Sequence, residues 1–569
     1  MLDKIDFPSS LKGITQGELV SLCNDIRYTL IDRITKTGGH MGSNLAVVEL
    51  TVALHYVFNA PFDKIVYDIS HQTYVHKILT GRKHAFLNPS EYNSVSGYTN
   101  PSESEYDLFR IGHTSTSLSL AHGLIVARDR LGGKENVISV IGDGALSGGE
   151  ALEGLNNLSS LNSNCIVILN DNEMSIAENV GGIYKNLKNL RDTNGGSANN
   201  LFTALGFNYV YVEEGNDVLK LIETLKKVKD STAPVLVHVH TVKGLGCKWA
   251  EENKEAGHYA NAVAVEQVET YVSLTRDFLV DYALKDSRLV IINAATPHVV
   301  GFDRETRAKI KNSFIDVGIA EEHAVAVTSG AGKGKIKPVM CVLSSFMQRT
   351  FDQLMQDLAL NKTPATVLVY SGGLSSSDET HVGAFDIAMT AQIPNVSCFA
   401  PASKKEYLDL LTWSIESAER PVIIRVPTSE PCELNTAFNK NAIYNYQTLK
   451  VGEKVAIFAL GSMLKTALKA SEILSKKGIN ATVISASSYS HFDKETIEKT
   501  AKTHELVIAI ENGVKCWSEK LASRFAEYKV KVLCRGGEKE YTDRESLSSQ
   551  YIRYRLTPEL IAEDVIKNL

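Results

Sequence analysis

Val137-Ile138-Ser139-Val140-Ile141 runs directly into Gly142-Asp143-Gly144, and further along Cys165-Ile166-Val167-Ile168-Leu169 runs into Asn170-Asp171-Asn172-Glu173-Met174. Both apolar runs have strand length and lack the alternation of a half-exposed strand, so they read as parallel strands buried on both faces. The helical stretch from Ala151 to Leu158 lies between them, which makes the pair a β–α–β unit. In an open α/β sheet, ligands bind in the loops that follow the carboxyl ends of the strands. The first loop offers a carboxylate, Asp143, and the second a carboxamide, Asn172, with the carbonyl of Met174. Hard oxygen ligands beside a glycine-rich turn suit Mg²⁺ carrying a diphosphate. Gly142 and Gly144 let the backbone come close to the phosphates. Either segment alone is ordinary turn chemistry; the specificity comes from both closing β-like runs.

The same alternation continues outward. With 569 residues the chain is too long for one core, and it divides into three blocks. The first shows strand-like runs at 137–141, 165–169 and 235–240. The second opens with a helical stretch near Val268–Leu284 and shows strands at Leu289–Asn293, Pro338–Leu343, Ala365–Tyr370 and Val422–Arg425. The third follows the polar stretch Asn435–Asn445 and shows Val455–Leu460, Ala481–Ser485 and Leu506–Ile510. Strands separated by helices imply parallel sheets, so the expected fold is α/β: three doubly wound parallel-sheet domains, 1–265, 266–436 and 437–569. Arg191–Asn200 reads as a mobile loop. Hydrophobic content of 44%, charged content of 22% and a net charge of −6 describe a soluble globular protein with no electrostatic case for nucleic acid or a membrane surface. No apolar stretch has the length of a membrane span, and the start, Met1-Leu2-Asp3-Lys4-Ile5-Asp6, has no signal core. Cysteines at 23, 165, 247, 341, 398, 432, 516 and 534 form no Cys-x-x-Cys pair and read as reduced thiols. A cytoplasmic enzyme is expected.

Further segments narrow the reading: Gly39-His40, Ser70-His71-Gln72, His76 to Arg82, Gly112 to Ser117, Ala320-Glu321-Glu322-His323-Ala324 and Thr380 to Asp386. Together with the two clamp segments, they make the chain resemble the 1-deoxy-D-xylulose-5-phosphate synthase family of transketolase-like thiamine-diphosphate enzymes, along nearly its whole length. The resemblance implies a diphosphate-binding domain, a pyrimidine-binding domain and a transketolase-like C-terminal domain, assembled as a homodimer. It also implies that thiamine diphosphate and Mg²⁺ lie between the first two domains of one subunit. The family reaction decarboxylates pyruvate and joins the two-carbon unit to glyceraldehyde 3-phosphate.

The resemblance assigns roles residue by residue. Asp143, Asn172 and the Met174 carbonyl would ligate Mg²⁺, with the Met174 side chain left to core packing. Gly144 and Ala145 open the turn whose N–H groups face the diphosphate. Gly112, His113 and Thr114 match a second phosphate-side loop, and Lys243 begins the loop that closes over the diphosphate. Glu321, placed after the apolar run 314–320 and expected at a semi-buried strand end, would hold the cofactor's aminopyrimidine. A buried carboxyl suits that task because burial raises its proton affinity; a helix-capping glutamate is the plain alternative. Phe346 matches the aromatic stacked on the pyrimidine. His40 and His258 match the acid/base histidines, His71 a cofactor contact, and His381, Asp378 and Arg349 the substrate contacts.

The pattern breaks where the acceptor binds. Leu343 stands where the family has a tyrosine, and Ser371 and Thr428 where it has arginines; apart from these, in the loop that closes over the diphosphate, Cys247 replaces an aromatic. Ser375-Ser376-Ser377 replaces a glycine-rich turn in a loop about one residue shorter by this comparison, the segment after Asn179 is much shorter, and Glu511-Asn512-Gly513-Val514-Lys515-Cys516 departs from a glycine-rich continuation. Losing charge-assisted contacts to a phosphate weakens its binding. The leading expectation is therefore a carboligase of this family. The alternatives are a paralogue that takes another aldehyde acceptor or a ketose donor, and a catalytically retired structural paralogue. The retained set Glu321, Asp143, Asn172, His40 and His258 argues against retirement.

Overall fold

Five parallel strands form the first sheet: β1 (Lys64–Tyr67), β2 (Val137–Gly142), β3 (Cys165–Asp171), β4 (Asn208–Val212) and β5 (Pro234–His240), in the order β1-β2-β3-β5-β4. The computed structural model describes residues 1–261, 268–436 and 438–569. The expected domain boundary at 265/266 falls on residues outside that set, and the one at 436/437 abuts residue 437, which is also outside it. Alternate side chains of β2 and β3 face opposite layers. Ile138, Val140, Ile166 and Ile168 join a cluster with Leu22, Ile26 and Leu30 of the helix Gln16–Thr37. Val137, Ile141, Val167 and Leu169 join another with Leu118 and Ile125 of Ser117–Leu131 and Leu155 of Gly149–Leu158. Each side chain buried this way contributes roughly 1.5–3 kcal/mol, so the loops at the strand ends leave a rigid base.

The chain forms two compact units: Met1–Glu266 with Gly318–Ala320, and Gln267–Val317 with Glu321–Leu569. The second unit holds two sheets. One is fully parallel: β6 (Leu289–Asn293), β7 (Phe314–Asp316), β8 (Lys337–Leu343), β9 (Thr366–Tyr370), β10 (Ser397–Phe399) and β11 (Val422–Arg425), in the order β10-β11-β9-β8-β6-β7. The other contains β12 (Gln447–Lys450), β13 (Lys454–Leu460), β14 (Thr482–Ala486), β15 (His504–Val514) and β16 (Lys531–Gly537), in the order β12-β14-β13-β15-β16. One core cluster takes side chains from both, including Met340, Val367, Phe458 and Val507.

Three expectations change. The last sheet is not wholly parallel, because β12 pairs antiparallel with β14; a half-exposed edge strand tolerates either direction. The stretch 191–200 is not simply a mobile loop. Arg191 lies in the helix Gly182–Asp192 and pairs with Asp171, and Asn200 caps the helix Leu201–Leu205, accepting from Phe202 N at 3.0 Å. Glu321 does not close a strand. The strand in that run ends at Asp316, and Glu321 opens the helix Glu321–Lys333.

Candidate functional site

In the first unit, the end of β2 carries the clamp. Asp143 is 1% exposed. Its Oδ2 accepts a hydrogen bond from Asn179 Nδ2 at 2.6 Å, while Oδ1 has no hydrogen-bond partner among the described residues. Burial first, and then the neighbouring charge of Asp171, push its pKa up to about 8. Asn172 is buried at the adjoining strand end, with Oδ1 accepting from Met174 N at 3.2 Å. The Met174 side chain is half-buried and is not among the buried core side chains expected for it. Gly144 packs tightly: a Cβ there would lie 2.6 Å from Ser175 Cβ. Lys243 reaches the same turn, its Nζ donating to the Ser175 carbonyl at 2.5 Å. Burial lowers the Lys243 pKa to about 8, although Asp143 acts in the opposite direction. The Gly112–Thr114 loop is tied to the clamp through Ser115, whose φ is +74°. Ser115 Oγ donates to the Ala145 carbonyl at 2.8 Å and its N–H donates to Asp68 at 2.7 Å.

Three histidines far apart in the chain meet in this unit. A two-residue antiparallel ladder pairs Gly39 with Ala260 and His40 with Tyr259. The ring centroids of His40 and His258 are 5.5 Å apart, those of His40 and His71 4.9 Å, and those of His71 and His258 5.3 Å. Asn44 fixes the backbone beneath them, its Nδ2 donating to the carbonyls of His40 at 2.8 Å and His71 at 2.9 Å. His71 Nε2 bonds Ser43 Oγ at 3.0 Å. Burial, aided by Lys243 and the other two histidines, holds His258 well below the usual imidazole value, so it is neutral near pH 7 and able to accept a proton.

In the second unit, Glu321 is 5% exposed, and its Oε2 has no hydrogen-bond partner among the described residues. Burial raises its pKa to about 7 against the pull of Arg349. Phe346 is half-buried, its ring edge-on to His381 with centroids 5.6 Å apart. Asp378 Oδ1 accepts from Thr380 N at 3.0 Å and Thr380 Oγ1 at 2.7 Å, and Thr380 Oγ1 bonds His381 Nδ1 at 2.9 Å. Burial lowers the His381 pKa. Ser371 and Thr428 are exposed. Arg425 is committed elsewhere: Nε and Nη2 clamp Asp386, both at 2.7 Å, and Nη1 donates to the Asn512 carbonyl at 2.7 Å.

Sequence reasoning missed Asn179, whose Oδ1 also lacks a partner among the described residues and lies on the amide that bonds Asp143. It also missed the support under Asp171, where His238 Nε2 bonds Oδ2 at 2.9 Å and Arg191 pairs with the same oxygen. Burial raises the Asp171 pKa, but these partners outweigh it and hold the group below the usual carboxylate range. The apolar pattern of β5 hid His238, because a histidine in a buried strand carries no motif. No cluster of three or more His, Cys, Asp or Glu side chains suited to a metal occurs among the described residues. One carboxylate, one carboxamide and one carbonyl is instead the sparse oxygen set that Mg²⁺ accepts when a phosphate supplies the rest. The open Asp143 oxygen fits such an ion.

Parallel sheets ending in an oxygen clamp and a buried acid agree with the matched family models. The transketolase pyrimidine-binding domain model matches residues 270–432, and the transketolase C-terminal domain model matches 445–558. The 1-deoxy-D-xylulose-5-phosphate synthase model matches residues 2–198 and 193–241. A 1-deoxy-D-xylulose-5-phosphate synthase of Caldanaerobacter subterraneus subsp. tengcongensis is 36% identical, covering 100% of this chain and 99% of its own. Another, of Dictyoglomus turgidum, is 39% identical over 90% of each chain. Transketolase from Campylobacter jejuni covers 97% of this chain and 99% of its own, at 16% identity and a TM-score of 0.47. The two matched domain models make the fold one of the transketolase class. Within that class, the chain belongs to the 1-deoxy-D-xylulose-5-phosphate synthase family.

Proposed function

We propose that this chain is a thiamine-diphosphate- and Mg²⁺-dependent carboligase that transfers the two-carbon unit of pyruvate to glyceraldehyde 3-phosphate. The observation that carries the reading is Glu321, a buried carboxyl near pKa 7 with one oxygen open, in a chain of this family. When bound, thiamine diphosphate supplies the nucleophilic carbon that takes up the two-carbon unit. With its pKa raised to about 7, Glu321 can both hold and release a proton at neutral pH and so present it to the aminopyrimidine, with Phe346 against the ring. Asp143, Asn172 and the Met174 carbonyl hold Mg²⁺, and the turn at Gly144 and Ala145, the Gly112–Thr114 loop and Lys243 face the diphosphate. Neutral His258 accepts a proton, His40 is its partner at the substrate oxygens, and His71 orients the cofactor. Arg349, Asp378 and His381 contact substrate. The division into domains at 265/266 and 436/437, homodimeric assembly and a cytoplasmic location belong to the same proposal; among the described residues no helix is long and apolar enough to cross a membrane. A second reading, a different aldehyde acceptor, is favoured by one observation: Ser371 and Thr428 are exposed and uncharged, and Arg425 is bound to Asp386. A carboligation screen tests both, pairing pyruvate and a ketose phosphate with glyceraldehyde 3-phosphate and glyceraldehyde. Turnover of pyruvate with glyceraldehyde 3-phosphate is expected. No turnover with any pair rejects the carboligase, and turnover only with glyceraldehyde selects the second reading.

A further inference from the structure

Two stretches that depart from the family pattern, Ser375-Ser376-Ser377 and Glu511–Cys516, are bonded to one another through their neighbours in the second unit. Asn512 Oδ1 accepts from Leu374 N at 3.1 Å. Gln550, fully buried on the helix Leu547–Arg553, donates from Nε2 to the carbonyls of Ser375 at 2.7 Å and Glu545 at 2.8 Å. Arg544 N donates to the Ser377 carbonyl at 2.9 Å. Three of the four residues 374–377 are therefore tied to segments of the C-terminal layer. Asn512 is itself held, since Arg425 donates to its carbonyl. Leu374 packs in the same cluster as Val382, Val514 and Tyr554. Gly373, at φ +98°, leaves no room for a side chain, because a Cβ would lie 2.9 Å from Asn512 Nδ2. The amide of Gln550 is buried and cannot turn to water, so its loss or displacement takes a hydrogen bond from two part-buried carbonyls. Immediately after these tied residues come Asp378 and His381.

We propose that Asn512 and Gln550 are positioning residues, which fix residues 374–377 and thereby hold Asp378 and His381 where the aldehyde acceptor binds. The inference rests on the reading above, in which those two residues contact substrate. Both act through residues 374–377, which lead into Asp378 and His381, so they bear on the acceptor step and leave donor activation alone. The test uses full-length protein loaded with thiamine diphosphate and Mg²⁺, as wild type, Asn512→Leu, Asn512→Asp and Gln550→Leu. Amide hydrogen exchange is followed over residues 371–381, acceptor KM and kcat are measured with each aldehyde, and exchange of the cofactor C2 hydrogen reports donor-side activation. Asn512→Leu and Gln550→Leu are expected to speed amide exchange and raise acceptor KM by roughly tenfold or more, with C2 exchange near wild type. Asn512→Asp keeps an acceptor oxygen beside Arg425 and is expected to restore both. An unchanged KM in a folded variant, a rise that Asn512→Asp does not correct, or an equal fall in C2 exchange overturns the proposal. If the leucine variants do not fold, the wild-type protein still decides: a rapidly exchanging Leu374 amide overturns it. Absence of carboligation by the wild type would instead reject the functional reading and leave amide exchange to judge the pinning.

Discussion

Asp107 and Asp143 are both buried aspartates of the first unit, and their surroundings have opposite consequences. Asp107 accepts from Arg82 Nη1 at 2.6 Å, Arg82 Nη2 at 2.8 Å and Asn100 N at 2.7 Å, and bonds His76 Nε2 at 2.9 Å. Burial acts to raise its pKa, but Arg82 and His76 outweigh it and hold the carboxyl well below the usual range. Asp143 receives one side-chain bond, keeps one oxygen open among the described residues, and is pushed up to about 8. A buried carboxylate whose lone pairs are all taken by the protein holds the fold together. One with an open lone pair is arranged for something the chain does not itself supply. Burial alone does not separate the two; the partner set does.

The largest expected effect removes the open carboxylate. Asp143→Ala should retain a folded protein and lose Mg²⁺-dependent binding of thiamine diphosphate, because the bridging cation loses its only carboxylate. Calorimetric titration checks this, and wild-type affinity in the variant would break the contrast at its centre. Next is the other carboxyl with an open oxygen. Glu321→Gln should keep cofactor binding but cut turnover by roughly 10²–10⁴, the span of a lost general acid. C2 hydrogen exchange on the bound cofactor should slow in parallel; an unchanged rate removes Glu321 from the activating role.

Asp107 gives the opposite profile. Asp107→Ala takes two hydrogen bonds from Arg82 and leaves it Glu103 at 3.2 Å and Thr80 at 2.7 Å, so the loss should stay below the roughly 3–5 kcal/mol of a fully broken buried pair. Denaturant unfolding should show that loss, while the fraction that remains folded binds cofactor with near-normal affinity. The two groups also respond to pH in opposite directions. Asp107, depressed in the folded state, stabilises the protein above its unfolded pKa, and that stability is lost as pH falls through the folded value. Asp143, raised to about 8, contributes stability to the metal-free protein that is full below the ordinary carboxylate pKa and is lost progressively as pH rises from there to 8. Mg²⁺ must displace that proton, so metal affinity should climb by about tenfold per pH unit below 8 and then level off. Lys243 titrates in the same range, and repeating the titration on Lys243→Met separates the two. A flat affinity between pH 6 and 8 would contradict the raised value.

The difference between these aspartates was only half visible in the sequence. Buried parallel strands announce themselves as unbroken apolar runs, so the ends of β2 and β3, and with them Asp143 and Asn172, could be placed from spacing alone. The histidines came from family motifs, yet nothing local brings His258 to His40; a two-residue ladder does so. The open oxygen of Asp143 depends on Asn179, and the depressed Asp171 depends on His238 and Arg191. Those partners lie on other elements and leave no periodic trace. Glu321 was legible as a residue, but the strand end was preferred over the helix terminus offered as its alternative, because the apolar run before it is only partly a strand. The antiparallel edge strand β12 escaped for a related reason: its residues are half-exposed, and edge position rather than pattern sets its direction.

The smallest expected effect concerns the acceptor, where this chain differs most from the family pattern. Arg349 remains, but Arg425 is occupied by Asp386 and Asn512 and cannot turn to a phosphate without leaving a buried carboxylate unpaired. Of the two positions that lost an arginine, Ser371 is the poorer one to restore. Its φ of +54° already strains a non-glycine residue, and a longer side chain does not relieve that. Thr428 is exposed and has no such constraint. A restored guanidinium there would form charge-assisted bonds to a dianion, worth less at an exposed position than in the interior. Thr428→Arg should therefore lower the KM for glyceraldehyde 3-phosphate by roughly threefold to tenfold, leaving the KM for unphosphorylated glyceraldehyde unchanged. Steady-state kinetics with both aldehydes checks it. Equal improvement with both would mean that the substitution acts on the fold of the loop and not on the phosphate. No change with either, beside a low micromolar KM in the wild type, would mean that other basic residues already bind the phosphate.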